Sequence, residues 1–159
     1  MGERGGRTLR VGVISDTHGL MRAEALAALR GSDVILHAGD IGGAEILAEL
    51  QVIAPVVAIR GNNDHAAWAA AIPEHRMVEL DAAKIHLLHD RNQLGRYPPP
   101  EGCNVIVTGH SHKPLVERRD GVLYLNPGSA GPRRFRLPVT VARLTIGREI
   151  DAEIVTLPA

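Results

Sequence analysis

The chain is poor in cysteine, in lysine and in long apolar runs. Cys103 is the only cysteine among 159 residues, which rules out an internal disulfide and any metal site built on several thiolates. Its place at the entry of an apolar strand reads as that of a small buried hydrophobe. No apolar run approaches the roughly 20 residues of a membrane-spanning helix. The start, Met1-Gly2-Glu3-Arg4-Gly5-Gly6-Arg7, lacks the apolar core of a secretory signal. It reads as a frayed arm over residues 1–8, and the expected location is cytoplasmic. Formal net charge is zero, with 18 Lys and Arg against 18 Asp and Glu, so there is no global electrostatic case for binding nucleic acid. The only lysines are Lys84 and Lys113; with so much alanine, this reads as compositional bias and carries no function.

What is present is a chain with 45% hydrophobic residues, enough for one domain with a proper core over residues 9–159. No repeat or long linker divides it. The first half alternates strand and helix: strand 9–15, a helix from Ala23 to Arg30 that stops at Gly31, strand 33–37, a helix near 43–51, and strand 55–60. This βαβαβ order implies a parallel sheet with right-handed crossovers. The segment from His65 to Ala71 reads as a helical turn broken at Pro73, with Trp68 packing on the core. In the second half, strands are expected at 76–81, 84–88, 103–108, 114–119, 122–126, 139–146 and 149–157. Gly121 and Gly147-Arg148 mark tight turns, and Tyr97-Pro98-Pro99-Pro100 a stiff exposed loop. So many strands predict two packed mixed sheets flanked by helices, a four-layer α/β/β/α sandwich.

Five blocks of metal-ligating residues fall where strands should end: Asp16-Thr17-His18, Gly39-Asp40, Gly61-Asn62-Asn63-Asp64, His89, and Gly109-His110-Ser111-His112. Each follows an apolar run that reads as a buried strand. In α/β sheets, ligands bind beyond the carboxyl ends of the strands. Asp16 and His18 are two apart, as are His110 and His112, and in an extended segment such pairs point to one side. A carboxylate such as Asp40 has two oxygens and can bridge two cations. Asn62 offers a neutral carbonyl oxygen, and His89 one more imidazole. Asp16, His18, Asp40, Asn62, His89, His110 and His112 therefore make a binuclear site. Gly19, Gly39, Gly61 and Gly109 fit tight turns around it. His37 reads as a hydrogen-bonded core residue, His86 as facing away from the site, and His75 as surface.

The ordered set D-x-H, GD, GN-x-D, H and GH-x-H is similar to that of the calcineurin-like metallophosphoesterase superfamily. The compact length and Asn126-Pro127-Gly128-Ser129 resemble its small single-domain YfcE-type phosphodiesterase branch. The resemblance covers residues 10 to 146. It implies that Asp16, His18 and His112 hold one metal, that Asn62, His89 and His110 hold the other, and that Asp40 bridges them. Two departures stand out. Asn63 occupies a position where many relatives have a catalytic histidine, and Asp90 follows His89 where the small branch has glycine. Asp90 either orients His89 or repels an anionic substrate.

The implied activity is a phosphodiesterase: two cations about 3.5–4 Å apart activate a bridging hydroxide for in-line attack on phosphorus. Asp40, Asn62, Asn63 and His89 are the expected catalytic residues. Asn63, His65 and Arg133 are the expected contacts to a small phosphate-ester substrate; Arg133 opens the basic run Arg133-Arg134-Phe135-Arg136. The mixed nitrogen and oxygen ligands suit Mn²⁺ first, with Ni²⁺, Fe²⁺ and Zn²⁺ as alternatives. No membrane partner is expected, and a homo-oligomer stays open. Two other readings compete. One is a protein-binding scaffold resembling the retromer scaffold subunit, which has an impaired metal site. The other is an amidohydrolase-type enzyme, which the GNND block and the late H-x-H argue against.

Overall fold

The structure is a computed structural model that describes residues 8–134 and 136–159. The expected N-terminal arm lies outside the described residues apart from the exposed Thr8, as does Phe135 of the basic run. The chain runs β1 (Leu9–Ile14), α1 (Ala23–Leu29), β2 (Val34–His37), α2 (Ala44–Gln51), β3 (Val56–Ala58), β4 (His75–Leu80), β5 (Ala83–Leu88), β6 (Val105–Val107), β7 (Leu115–Arg119), β8 (Val122–Asn126), β9 (Thr140–Ile146) and β10 (Ile150–Thr156). Short 3₁₀ turns occur at Ala67–Ala69 and Arg91–Gln93.

These strands form two mixed five-stranded sheets, in the orders β10-β9-β1-β2-β3 and β4-β5-β6-β8-β7. Strands β1, β2 and β3 are parallel, as are β5, β6 and β8. The antiparallel pairs are the three edge hairpins and, inside the first sheet, β9 against β1. Side chains alternate as a pleated strand requires. Val11 and Val13 of β1 face the second sheet and pack in a core with Ile85, Leu87, Val105, Val107, Leu123 and Leu125. Ile14 points the other way, to the helices, and packs with Leu29, Ile46 and Leu50. Gly12 also lies on that face, where a Cβ would come within 2.7 Å of the Leu29 side chain. The missing side chain lets α1 sit close to the sheet.

Both helices are short and have no side-chain N-cap. Their stability comes from the buried stripe, not from propensity. Ile46 and Leu50, four apart in α2, are fully buried, and each contributes about 1.5–3 kcal/mol by leaving water. Helix α1 ends as expected, with Gly31 at φ 87° accepting the left-handed turn that stops it.

The two mixed sheets with helices packed on the first are the expected architecture. On the outer face of the second sheet, the covering layer is the Arg91–Gln93 turn and the loop after it. His86 is buried there and its Nε2 lies 2.8 Å from the Tyr97 carbonyl oxygen, while Arg91 stacks over Tyr124 at 4.7 Å. The hydrogen-bonded turn continues past Gly95, with the Arg96 and Tyr97 N–H groups both donating to Gln93 O, and the prolines at 98–100 stop this segment from continuing as a helix. Trp68 packs against the helix-side core. Cys103 is half-buried, and its thiol donates to the Val105 carbonyl. Among the described residues no helix is long and apolar enough to cross a membrane.

Candidate metal centre

The parallel strands β1, β2, β3, β5 and β6 all end on one shared edge. The five blocks follow them directly, and backbone hydrogen bonds stitch the loops together. Asp16 N–H donates to Gly39 O at 3.0 Å, His18 N–H to Asp40 O at 2.9 Å, and Gly109 N–H to His89 O at 2.9 Å. The carboxyl ends of both sheets thus share one floor.

Asp16 is at its centre and fully buried. Its Oδ2 accepts from the Ser15 hydroxyl at 2.6 Å and from His110 N–H at 3.0 Å. Those two donors fix the carboxylate and leave Oδ1 with no hydrogen bond. Around Oδ1 stand Nε2 of His112 at 3.3 Å, of His18 at 3.7 Å and of His89 at 3.9 Å. Asp40 accepts from Asn63 through both backbone N–H (2.9 Å) and side-chain amide (3.2 Å). Its Oδ2 also lies 3.2 Å from His89 Nε2 and 3.7 Å from His18 Nε2. Asp40 therefore stands between the two histidines.

Two groups of ligand atoms lie within 4.8 Å of one another: Asp16, His18 and His112, and Asp16, Asp40 and His89. Asp16 Oδ1, His18 Nε2, His89 Nε2 and His112 Nδ1 are buried without a hydrogen-bond partner. Buried polar atoms are normally paired, because an unpaired one costs about 1–3 kcal/mol. Here Asp16 Oδ1, His18 Nε2 and His89 Nε2 face one another, and His112 presents its other nitrogen, Nε2, to the same carboxylate oxygen. A divalent cation satisfies carboxylate oxygens and imidazole lone pairs together, so the residues fit metal.

The electrostatics agree. Burial pushes the Asp16 carboxyl up, but the neighbouring His112 and His18 outweigh it and hold the group far below the usual carboxylate range. Asp40 is likewise lowered: burial opposes ionisation, and His89 with the Asn63 N–H overcomes it. Both carboxylates stay charged in a buried site, which calls for compensating positive charge.

The pairs two apart do converge, but not by the extended geometry their spacing implied. Asp16 (φ 57°), His18 (φ 47°), Asp40 (φ 56°), His110 (φ 69°) and His112 (φ 64°) all have left-handed backbones. Among the described non-glycine residues only Asp81 and Asp120, both in hairpin turns, share that feature without being candidate ligands. The backbone turns sharply after each strand and aims successive side chains inward. Such strain collects where function demands it. Gly61 and Gly109 serve by close approach instead. A Cβ on Gly61 would collide with Asp40, and one on Gly109 with Ser15 and Asp16.

Asn62 and His110 stand apart from the five converged ligands. With His89 they line an adjoining cavity of about 270 Å³, together with Arg60, Glu74, Asp90 and Gln93. The His110 side chain is 43% exposed, and its Nε2 is 3.8 Å from Asp90. Its ring meets that of His89 edge-on at 5.2 Å. Asp90 therefore faces His110, and the group that orients His89 is the Ala38 carbonyl, 2.7 Å from Nδ1. Asn63 is spent on Asp40. His65 is exposed, and Arg133 donates to Leu137 O within its own exposed loop; neither lines the cavity.

Several supporting residues were not singled out by the sequence reading. Asp64 is buried and accepts N–H bonds from Gly61 (2.9 Å), Ile41 (3.1 Å) and Gly42 (3.1 Å). It ties the Asp40 loop to the Asn62 loop. Its signal was available as the acid closing the GNND block. Ser129 reaches from the Asn126-Pro127-Gly128-Ser129 turn to the Asp16 carbonyl at 3.1 Å. Asn126 donates to Gly109 O at 2.9 Å, supporting the H-x-H loop as expected of a turn residue. His37 is a buried core group: its Nδ1 accepts from Gly39 N–H at 3.1 Å and its Nε2 donates to Thr17 Oγ1 at 3.0 Å.

A buried cluster of carboxylates and imidazoles, at the shared edge of two mixed sheets, is the arrangement of a metallophosphoesterase-type domain. The chain belongs to the calcineurin-like phosphoesterase superfamily, whose domain matches residues 9–149. It is 34% identical over 157 residues to a probable metallophosphoesterase of Methanothermobacter thermautotrophicus, covering 91% of each chain. In fold it is similar to vacuolar protein sorting 29 from Cryptosporidium parvum, with a TM-score of 0.81, 22% identity and coverage of 95% of this chain and 92% of that one. It is also similar to a novel archaeal phosphodiesterase, with a TM-score of 0.76, 22% identity and coverage of 92% and 100%.

Proposed function

We propose that this protein is a binuclear metal-dependent phosphoesterase, and specifically a phosphodiesterase acting on a small phosphate ester. One metal is held by Asp16, His18 and His112, the other by Asn62, His89 and His110, with Asp40 shared. Mn²⁺ is the first candidate, ahead of Ni²⁺, Fe²⁺ and Zn²⁺. The observation that carries the reading is the set of three buried, unpartnered atoms that face one another, Asp16 Oδ1, His18 Nε2 and His89 Nε2, with His112 Nε2 beside them at 3.3 Å from Asp16. Bound divalent cations supply electrophilic charge for a phosphoryl group and activate water as the nucleophile.

The chain's own residues do the positioning. Ser15 and the His110 N–H lock Asp16. The Ala38 carbonyl fixes the His89 tautomer, leaving Nε2 free as a ligand. Asn63 holds Asp40 through two hydrogen bonds. Asn62 and His110, at the cavity edge, are the ligands open to substrate.

A second reading, a non-catalytic protein-binding scaffold, draws on the likeness in fold to vacuolar protein sorting 29. The five converged ligands weigh against it, because strained backbones and unpaired buried atoms are costly to keep in a scaffold. The deciding experiment assays Mn²⁺-loaded protein on bis(p-nitrophenyl) phosphate, beside an Asp40→Asn variant. Turnover in the parent and a loss of at least about 100-fold in the variant, with unchanged circular dichroism, support the enzyme. No turnover with any of the four metals supports the scaffold.

A further inference from the structure

The side chains that line the cavity beside the metal centre all carry polar groups. Beyond Asn62, His89 and His110, its wall is made of Arg60, Glu74, Asp90 and Gln93, with Gly61 between. Among the described residues no aliphatic, phenyl or indole side chain lines it. Such a wall favours a ligand that can hydrogen-bond, since its donors and acceptors would otherwise lose water without replacement.

Arg60 is the one fixed cation there. It immediately precedes Gly61 and Asn62, and its backbone N–H is tied to Pro73 O at 2.9 Å. Its side chain is 34% exposed, and its guanidinium meets Glu74 at 3.7 Å, outside hydrogen-bond distance. The other oxygen of Glu74 accepts from the Tyr97 hydroxyl at 2.7 Å. Tyr97 is in turn stacked on His75 at 4.1 Å. Glu74 is thus held in place, and it holds Arg60 at the cavity without using up its donors. A guanidinium carries five donors in a planar fork that matches a carboxylate or phosphate.

Resting on the phosphodiesterase reading, we propose that Arg60 is a specificity-determining residue, and that the natural substrate carries a second anionic group beyond the scissile phosphate, which Arg60 takes as a fork. The metal centre binds the reacting phosphoryl group, and the cavity wall reads the arm attached to it. Glu74 and Gln93 leave acceptors and a donor for hydroxyls on the same arm.

Isothermal calorimetry on Mn²⁺-loaded protein tests this with two non-hydrolysable probes. Methylphosphonate carries one anionic group; 3-phosphonopropionate adds a carboxylate. Metal content is measured on every variant. The parent should bind 3-phosphonopropionate roughly tenfold more tightly, as one charge-assisted pair allows. Arg60→Gln should cut that ratio at least fivefold, and Arg60→Lys should restore part of it. A ratio equal in parent and Arg60→Gln overturns the inference, including the case where both affinities fall together. A parent that binds metal and methylphosphonate but shows no preference overturns it while leaving the phosphodiesterase reading intact. A parent that binds neither probe overturns both.

Discussion

Nε2 of His89 stands 3.2 Å from Oδ2 of Asp40, while Nδ1 of the same ring is tied to the Ala38 carbonyl at 2.7 Å. A carbonyl only accepts, so Nδ1 carries the proton. In the neutral ring, a lone pair on Nε2 then faces a carboxylate. That contact is favourable only with a proton or a cation between the two groups. Burial works against a charged imidazole here, but Asp40 and Asp16 outweigh it and raise the His89 pKa above its ordinary value. In metal-free protein this raised value adds stability that is fully present below about pH 6.5 and is lost as pH rises through the folded pKa. Metal must displace that proton.

Mn²⁺ binding to metal-free protein is therefore expected to release protons and to tighten as pH rises through neutrality. Calorimetry in buffers of different ionisation enthalpy measures the release. Affinity independent of pH, with no protons released, would refute the placing of His89 as a ligand.

Asp64 gives a second prediction. Its carboxylate accepts three backbone N–H groups, from Gly61, Ile41 and Gly42. Asp64→Asn turns one acceptor into a donor facing donors, which costs about 1–3 kcal/mol. The melting temperature should fall by about 3–10 °C. Metal affinity should weaken too, because this carboxylate fixes the spacing of the Asp40 and Asn62 loops. An unchanged melting curve would show that the loops hold their spacing without it.

His37 sets an acid limit on the fold. Burial lowers its pKa from the ordinary range to about 4, against the pull of Asp16 and Asp64. The geometry explains the direction, since Nδ1 accepts the Gly39 N–H and a second proton there would face a donor. A depressed folded value means the unfolded chain takes up the proton first. Stability is then whole above about pH 6.5 and is lost as pH falls towards 4, by about 3 kcal/mol in all. His37→Gln keeps an acceptor and a donor without titrating. Denaturant melts of both proteins between pH 4 and 7 should show a shallower pH slope in the variant; parallel slopes contradict the assignment.

The central strands were legible because they are short apolar runs closed by Gly or a polar block, as at Val105-Ile106-Val107 before Gly109. The ligand blocks were legible for the same reason, since strand ends fix their place in the fold. The conformation that makes them converge was not. A left-handed φ at Asp16, His18, Asp40, His110 and His112 depends on contacts from other strands, which no local pattern encodes. Asp64 and Ser129 were missed because their partners are backbone groups of distant loops. Arg60 was passed over in favour of Arg133, because a run of arginines is visible in sequence and a cavity wall is not. The outer layer of the second sheet was the least legible part, since its cover is a loop whose anchors, His86 to Tyr97 and Arg91 to Tyr124, are tertiary contacts.

The last prediction concerns the leaving group. Asn63 stands where many relatives carry an imidazole, and its amide donates to Asp40 at 3.2 Å. A carboxamide has no proton acidic enough to protonate an alkoxide near neutral pH. His65, the nearest alternative in sequence, is exposed and does not line the cavity. With no general acid at that position, the rate should follow leaving-group quality. Activated aryl phosphodiesters should be cleaved faster than unactivated alkyl monoesters, and kcat/KM should fall steeply as the leaving-group pKa rises. Asn63→His should flatten that slope, although it also removes one hydrogen bond from Asp40. Metal content measured on the variant separates the two effects. A flat dependence in the parent, with chemistry rate-limiting, would mean that another group delivers the proton.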